Sequence, residues 1–324
     1  MKEFIKPRVV ISKCLEHDKC RYDGSMINNE FIEKLKEYVD FTPVCPEVEV
    51  GLPIPRQALR IILSENEEQS LVFSRTGEDI TEKMQSFSNG FLDDLNKSEI
   101  DGFILKSRSP SCGMKDVKMY KTFGKAPSIP KKTKGIFAKQ VLESFPDIVL
   151  EDEGRLSNYN IRESFLINIF TSAFFRKVKE EKNLNSLIKF HSENKYLLMA
   201  LSQGKLKQLG KLVGNTEGKK IDQILEEYEP ILYKALGTML NTGRNVNMLL
   251  HLFGYFSKDL TTNEKGFFLE ELEKYRNKKV PFSVPLSLIH SWVIRFGNEY
   301  LLKQTIFEAF PSELINVTDS GKGV

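Results

Sequence analysis

The sequence has no apolar run approaching the roughly 20 residues that a membrane-spanning helix needs. Its first residues, MKEFIKPRVVISKC, lack the apolar core and the small-residue cleavage site of a secretory signal. There are only four cysteines and no C-x-x-C pair, which argues against both a disulfide framework and an ordinary zinc ribbon. We therefore expect a cytoplasmic protein with reduced thiols, no membrane association and no evident protein partner.

The composition is that of a globular protein long enough for two domains. Hydrophobic residues make up 40% of the 324 residues and charged residues 28%. The charge is uneven, because residues 1–156 carry 24 Lys and Arg against 26 Asp and Glu, and residues 157–324 carry 23 against 18. A mildly basic second half is compatible with a polyanionic partner, although many ordinary helical domains have the same balance.

The hydrophobic period changes along the chain. Before about residue 155, short β-branched runs such as RVVIS alternate with helical stretches, which predicts an α/β domain with a largely parallel sheet. LRIILSE and SLVFSR are close enough together to form a hairpin. From about Asn158 onward, apolar residues recur at i, i+3 and i+4, which predicts an all-α domain. We predict domains at 1–155 and 156–315, with a disordered tail at 316–324.

Three of the four cysteines share a local setting. Cys14, Cys45 and Cys112 each come just after a strand-like run. Because residues beyond the carboxyl ends of neighbouring parallel strands gather in one crevice, these thiols can meet in space and hold a metal centre. Cys20 follows Asp18 and Lys19 in a predicted loop, so it is either a fourth ligand or a nearby free thiol. The alternative for the whole set is four incidental thiols without metal.

Two polar residues lie beside these cysteines. Glu47, in CPE, is a possible general acid or base, and Ser111, in SPSCG, is a possible hydrogen-bond donor. Taken singly, a loop carboxylate and a loop serine are more often surface residues. The segment RYDG could be a simple Asp-Gly turn, and GLPIPR could be an extended spacer that ends at Arg56.

Together, however, the segments SKCLEHDKCRYDG, VCPEVEVGLPIPR and LKSRSPSCG resemble the thiouracil desulfidase family over roughly residues 8–150. The second half, with FHSENKYLLMALS, LLHLFGYFSKDL and YRNKKVPFSVPL, resembles the helical domain often fused to that family. The two-domain arrangement is similar to that of desulfidases that remove sulfur from 4-thiouridine in transfer RNA.

The resemblance implies a 4Fe-4S cluster held by Cys14, Cys45 and Cys112, with the fourth iron open to the substrate sulfur. It implies proton transfer by Glu47 and substrate polarisation by Ser111, in a hydrolysis without net electron transfer. It argues against Cys20 as a ligand. One departure is that family members commonly have Gly soon after CL, where this chain has Glu16 and His17.

We expect the substrate to be thiolated transfer RNA, with a free thiopyrimidine as the alternative. The residues expected to contact the base or RNA are basic or flank the motifs: Arg21, Asp23, Arg56, Lys106, Arg108 and Lys195. A cluster of lysines (Lys189, Lys195, Lys205, Lys207 and Lys211) would steer a polyanion, unless it is an ordinary solvated helix face. The competing functional class is a non-catalytic metal-containing RNA-binding module, which a four-cysteine site would favour.

Overall fold

The computed structural model describes residues 3–215 and 218–319. Its strands are β1 (Arg8–Ser12), β2 (Asp40–Val44), β3 (Leu59–Leu63), β4 (Gln69–Phe73), β5 (Gly102–Leu105), β6 (Val117–Tyr120), β7 (Ser128–Thr133) and β8 (Val149–Asp152). The helices between these strands are α1 (Glu30–Leu35), α2 (Pro46–Glu49), α3 (Thr81–Leu95) and α4 (Ile136–Ser144). The remaining α-helices are α5 (Tyr159–Glu181), α6 (Leu184–Glu193), α7 (Lys195–Gly214), α8 (Ile221–Leu236), α9 (Thr242–Gly254), α10 (Thr262–Arg276), α11 (Ser283–Phe296) and α12 (Glu299–Leu302).

The first sheet is parallel throughout, with the strand order β2-β1-β5-β8. Its two central strands are almost wholly buried, which accounts for the continuous apolar runs RVVIS and GFIL. Gly102 begins β5 where a side chain would come 2.8 Å from Ile169 of α5, so its lack of a Cβ allows that helix to approach the sheet. This sheet confirms the predicted α/β region with a largely parallel sheet.

The second sheet, in the order β4-β3-β6-β7, is mixed. Strands β3 and β4 form the antiparallel hairpin that the sequence predicted, while β3 pairs with β6 in parallel. The sequence analysis did not identify β6 and β7. Strand β7 reads SIPKKT and has no buried residue, so it carries no apolar alternation; its lysines and proline are typical of an edge strand.

Helix α3 contributes to the apolar core beside each sheet. Its Leu92 packs with Val10, Phe103 and Phe137 of the cluster beside the first sheet. Met84, about two turns earlier in the same helix, belongs to the cluster beside the second sheet. Burying one helix face in this way fixes the strands whose ends carry the functional residues.

The chain divides into two compact units. The first contains the described residues up to Ala173 and those from Glu313 onward, and the second is Phe174–Ser312. The second unit is entirely α-helical apart from turns and short 3-10 segments among its described residues, as predicted. Its core is rich in aromatic contacts, including a stacked pair formed by Phe175 and Tyr228 and another formed by Phe253 and Phe268.

The change from mixed to helical structure falls between Asp152, where β8 ends, and Tyr159, where α5 begins. Domain limits of 1–155 and 156–315 remain predictions. Of the predicted tail, residues 320–324 lie outside the described part of the chain. Within the first unit, the carbonyls of Asn316 and Thr318 accept hydrogen bonds from Arg162. Among the described helices, none has the length and hydropathy that crossing a bilayer requires.

Candidate functional site

A cavity of about 280 Å³ lies at the carboxyl ends of β1, β2 and β5. All four cysteines line it, together with Glu47. The three parallel strands bring distant parts of the sequence to this one edge. Cys14 follows β1 by two residues, Cys45 follows β2 directly, and Cys112 lies on the loop that leaves β5. The predicted convergence of these thiols is therefore present in the structure.

All four cysteines are buried, and none of them forms a disulfide. Cys20 is completely buried, and its thiol interacts with those of both Cys14 and Cys45. The contact with Cys14 raises the pKa of Cys20 to about 11. Contact with Cys20 and burial raise the pKa of Cys45, and burial raises that of Cys112. Neighbouring thiols in a dry site do not ionise together unless a cation compensates their charge, as a metal centre does.

The donor atoms of the cysteine site are all thiols. Within residues 3–215 and 218–319, no three His, Cys, Asp or Glu side chains are grouped closely enough to hold a single metal ion. An iron–sulfur cluster is wider than one ion, and its thiolate ligands stand correspondingly further apart. A set made only of cysteine thiols is also the donor set that such clusters use. The four thiols that line the cavity therefore suit an iron–sulfur group.

Glu47 is held on both carboxylate oxygens. Ser111 Oγ donates to Oε1 at 2.8 Å, and Arg56 Nε donates to Oε2 at 2.8 Å. The side chains of Arg56 and Glu47 are only 3% and 12% exposed, so this is a nearly buried ion pair. Arg56 Nη2 also donates to the carbonyl of Cys20 at 3.0 Å. Arg56 thus ties the loop that carries Cys20 to the carboxylate beside the cysteines.

Local sequence explains the position of Glu47. Cys45 is the N-cap of the short helix α2, and Pro46, with its fixed φ and no N–H, suits the first helical position. Glu47 follows in the first turn, pointing toward Ser111. The CPE motif therefore places the Cys45 thiol and the Glu47 carboxylate two residues apart in one strand-to-helix turn.

The loop that carries Ser111 and Cys112 is held by a serine that the sequence analysis did not single out. Ser109 Oγ accepts from the backbone N–H groups of Ser111 at 3.2 Å and Cys112 at 3.1 Å. This side-chain cap is a local ST turn, and the S-x-S spacing was its available signal. Gly113 follows where an added Cβ would lie 2.5 Å from Val117 and 2.7 Å from the Ser109 carbonyl, so no larger residue fits without movement.

Glu16 stands where the sequence analysis noted a departure from the family pattern. Its φ of 61° lies in the left-handed region, which glycine adopts most easily. The loop therefore keeps a glycine-like turn although the residue is Glu. The Glu16 carboxylate accepts a hydrogen bond from the Asn29 N–H, and its carbonyl accepts from Lys36 Nζ at 2.6 Å. These hydrogen bonds hold Glu16 in a backbone conformation that is unfavourable for residues other than glycine.

The predicted base-contacting and RNA-contacting residues occupy different environments. Arg21, Arg56, Lys106 and Arg108 line the cavity, whereas Asp23 accepts from Ser25 beside it. Lys195 begins α7 of the second unit, with its Nζ 5.5 Å from the centre of the Tyr196 ring.

Among the cavity-lining basic residues, the degree of pairing varies. Lys106 binds Glu153, a residue that the sequence analysis did not identify, and Arg21 binds Ser25 and Asp23. Arg108 is exposed, has a left-handed φ of 57°, and has no hydrogen-bond or ion-pair partner within the described ranges. Arg108 is therefore the cation at the cavity that is most available to a ligand.

Three comparisons with known proteins agree with the sequence motifs. Residues 9–153 match the family described as 2-thiouracil desulfurase, and residues 195–311 match one described as a protein of unknown function (DUF1722). The uncharacterized protein YbgA of Escherichia coli is 27% identical over 161 residues, covering 49% of this chain and 95% of YbgA.

The uncharacterized protein YbbK of Bacillus subtilis is 32% identical over 109 residues, covering 32% of this chain and 72% of YbbK. A solved structure, the 4Fe-4S-dependent thiouracil desulfidase TudS, is 26% identical. The match covers 47% of this chain and 93% of that one, with a TM-score of 0.38.

Proposed function

Because the chain belongs, through residues 9–153, to the 2-thiouracil desulfurase family, we propose that it cleaves the C–S bond of a thiolated uracil by hydrolysis. The observation that carries the proposal is that Glu47, which lines the same cavity as four cysteine thiols, accepts a hydrogen bond from the buried Ser111 behind the cavity wall. Water supplies the oxygen of the new carbonyl and sulfur leaves as hydrosulfide, so no electrons are gained or lost.

We assign Cys14, Cys45 and Cys112 as ligands of a 4Fe-4S cluster. Their support is the soft thiol donor set and the three neighbouring strand ends. A cluster with three protein ligands supplies a Lewis-acidic iron that polarises the thiocarbonyl group. The protein contributes the dry cavity and the fixed positions of the three cysteines.

Glu47 is the proposed general base. Ser111 orients one oxygen of its carboxylate and Arg56 orients the other. The carboxylate is therefore already positioned to receive a proton from an attacking water. Ser111 has the smaller role, because its hydroxyl donates a hydrogen bond and transfers no net charge. Arg56 forms a nearly buried ion pair with this carboxylate and so fixes its orientation.

We further propose that the thiolated base is 4-thiouridine within transfer RNA. A cavity of about 280 Å³ that would also have to hold the cluster leaves no room for more than a single base. The phosphates on either side of that base would then lie outside the cavity, where the exposed and unpaired Arg108 is available. Domains at 1–155 and 156–315, the second one helical and RNA-binding, are part of this proposal.

Lysines of the second unit support an RNA partner. Within the described ranges, none of Lys189, Lys205, Lys207 and Lys211 forms an ion pair, so their charge is not compensated inside the protein. Lys189, Lys207 and Lys211 are exposed. Neutralising phosphates with such lysines gives an affinity that falls steeply with salt.

The proposed function is tested by measuring hydrosulfide from 4-thiouracil and from thiolated transfer RNA, using anaerobically reconstituted full-length protein. The variant Lys189→Glu/Lys207→Glu/Lys211→Glu should retain activity on the free base and lose at least about tenfold on transfer RNA at low salt. The matched control reverses three exposed lysines elsewhere in the second unit: Lys258, Lys278 and Lys279.

Equal activity of the two triple variants on transfer RNA would contradict the proposed lysine face. If the wild-type protein acted on 4-thiouracil and not on transfer RNA, the substrate would be the free thiopyrimidine. A fully loaded protein that released hydrosulfide from neither substrate would contradict the enzymatic function itself.

A further inference from the structure

Strands β6 and β7 and their flanking loops, residues 114–134, form a strongly basic segment that we call the lysine hairpin. It holds seven lysines and one acidic residue, Asp116, although residues 1–156 as a whole carry 26 acidic against 24 basic residues. All seven are exposed, and only Lys131 forms an ion pair within the described ranges, with Glu67 at 3.2 Å. The other six are Lys115, Lys118, Lys121, Lys125, Lys132 and Lys134.

Two of these lysines face each other across the hairpin. Lys118 of β6 lies directly opposite Lys132 of β7 in the antiparallel register. Like charges in directly opposed positions destabilise a pair of strands, and no acidic side chain among the described residues forms an ion pair with either lysine. The neighbouring Lys131 has the usual arrangement, because Glu67 compensates its charge. An anion bound from outside would remove the repulsion between Lys118 and Lys132.

Protection of the sheet edge explains only part of this pattern. Lysines on an edge strand such as β7 prevent that strand from pairing with another chain. Lys118, however, belongs to β6, which is already paired on both sides, with β3 and with β7. A lysine on β6 protects no edge, and opposite Lys132 it weakens the strand pairing. A bound polyanion accounts for its presence.

The lysine hairpin begins and ends at the loop that carries Ser111 and Cys112. The Gly135 N–H donates to the Gly113 carbonyl at 2.7 Å, which closes residues 114–134 into an excursion from that loop. A Cβ at Gly135 would clash with the Ser111 carbonyl, so the lack of a side chain permits this close approach. Cys112 lines the cavity, and the base of the hairpin is therefore fixed to the cavity wall.

The partner that suits this surface is a chain of phosphates. The four residues of β6 extend over roughly 13 Å, and lysines before, within and after the strand carry positive charge along that length. A membrane surface requires several exposed apolar side chains beside the lysines. Within residues 114–134, all of which the structure describes, Phe123 is the one exposed large hydrophobic residue. The backbone of a nucleic acid therefore fits better than a lipid surface.

We propose that the lysine hairpin binds the phosphate backbone of the transfer RNA that carries the thiolated base, with Lys118 and Lys132 at the centre of the contact. The proposal rests on the RNA substrate of the proposed function. It assigns an RNA-binding surface to the unit that contains the cavity, in addition to the lysines of the second unit. Because the hairpin is fixed to the Ser111–Cys112 loop, RNA bound along it is held beside the cavity.

Reversing the charge of Lys132 separates a binding role from a structural one. Lys132→Glu places a carboxylate opposite Lys118 and converts a repulsive cross-strand pair into an attractive one. The melting temperature should therefore be no lower than that of the wild type, while the affinity for transfer RNA falls. A lysine that served only the fold would change stability and leave the affinity for RNA unaltered.

The measurement is fluorescence anisotropy of a labelled, unmodified transfer RNA transcript, titrated with full-length protein between about 50 and 200 mM salt. Lys118→Glu/Lys132→Glu should bind at least about tenfold more weakly at low salt. The slope of log affinity against log salt should also fall by about two, one for each lost phosphate contact. The variant should release hydrosulfide from 4-thiouracil at the wild-type rate, because neither lysine lines the cavity.

The matched control is Lys34→Glu/Lys83→Glu, which reverses two exposed lysines of the first unit outside the hairpin. It produces the same change in net charge and should bind transfer RNA within about twofold of the wild type, because charges away from the contact are screened by salt. An equal loss of affinity in the control and in Lys118→Glu/Lys132→Glu would overturn the proposal, since net charge alone would then account for binding.

Two further results would overturn it. One is an unchanged affinity and salt slope in Lys118→Glu/Lys132→Glu. The other is the absence of salt-dependent transfer RNA binding by the wild type; binding to phosphatidylglycerol vesicles instead would assign the hairpin to a membrane surface. If the wild type desulfurised transfer RNA while the hairpin variant bound it normally, only the hairpin would be excluded. If the wild type bound transfer RNA through the hairpin and released no hydrosulfide, the surface would stand without the proposed enzymatic function.

Discussion

Replacing Arg56 by Met should destabilise the first unit far more than its position near the surface of a cavity suggests. The Arg56 and Glu47 side chains are 3% and 12% exposed, and Arg56 also satisfies the Cys20 carbonyl. Removing one member of a buried ion pair leaves an uncompensated charge, which costs about 3–5 kcal/mol of the free energy of unfolding. For a unit of this size that corresponds to a melting temperature about 6–20 °C lower.

The measurement is scanning calorimetry on cluster-free protein, so that loss of metal does not contribute to the difference. Calorimetry is preferable to tryptophan fluorescence, since the single tryptophan, Trp292, lies in the second unit and Arg56 in the first. Lys97→Met is the matched control. It breaks an ion pair with Asp94 whose side chains are 75% and 79% exposed, and should leave the melting temperature nearly unchanged because solvent screens such a pair.

The double variant Glu47→Gln/Arg56→Met separates the charge from the packing. A neutral Gln keeps a hydrogen bond with Ser111 and leaves no buried charge, so more than half of the lost stability should return. The remainder, about 1–2 kcal/mol, reflects the Cys20 carbonyl without its donor. If Arg56→Met cost less than about 1 kcal/mol, or if the double variant were no more stable than the single one, the pair would not hold the site together.

Further predictions concern turnover, loop geometry and the cluster. Glu47→Gln should retain the cluster and lose about 10²–10⁴-fold in turnover in a hydrosulfide-release assay, with a smaller loss for Ser111→Ala; a Glu47→Gln enzyme at full rate would remove that residue from the mechanism. Gly113→Ala should displace the Cys112 loop and lower both melting temperature and iron content by forcing a Cβ against Val117 and the Ser109 carbonyl, whereas Gly90→Ala, which meets nothing within 4 Å, should not. Cys45→Ser should abolish the brown colour and iron content of anaerobically prepared protein, and normal iron content would exclude Cys45 as a ligand.

The sequence alone was sufficient for the fold class. The change from strand–helix alternation to helical period predicted a parallel α/β region followed by helices, because period is set locally by which faces are buried. It also predicted the β3–β4 hairpin and the strand-end setting of Cys14, Cys45 and Cys112. It did not reveal β7, whose exposed, lysine-rich edge position removes the apolar alternation by which strands are recognised.

The sequence shows the motifs CPE, SPSCG and GLPIPR, but it does not show which of their side chains contact one another. Glu47 meets Ser111 across 64 residues, and Arg56, which remains a predicted contact of the substrate or RNA, is paired with Glu47 and the Cys20 carbonyl. Cys20 likewise reaches the other thiols through a loop whose path depends on contacts with Arg56. Local sequence determines which face of an element is buried, whereas only the packed tertiary structure determines which polar groups from distant loops are forced to satisfy one another.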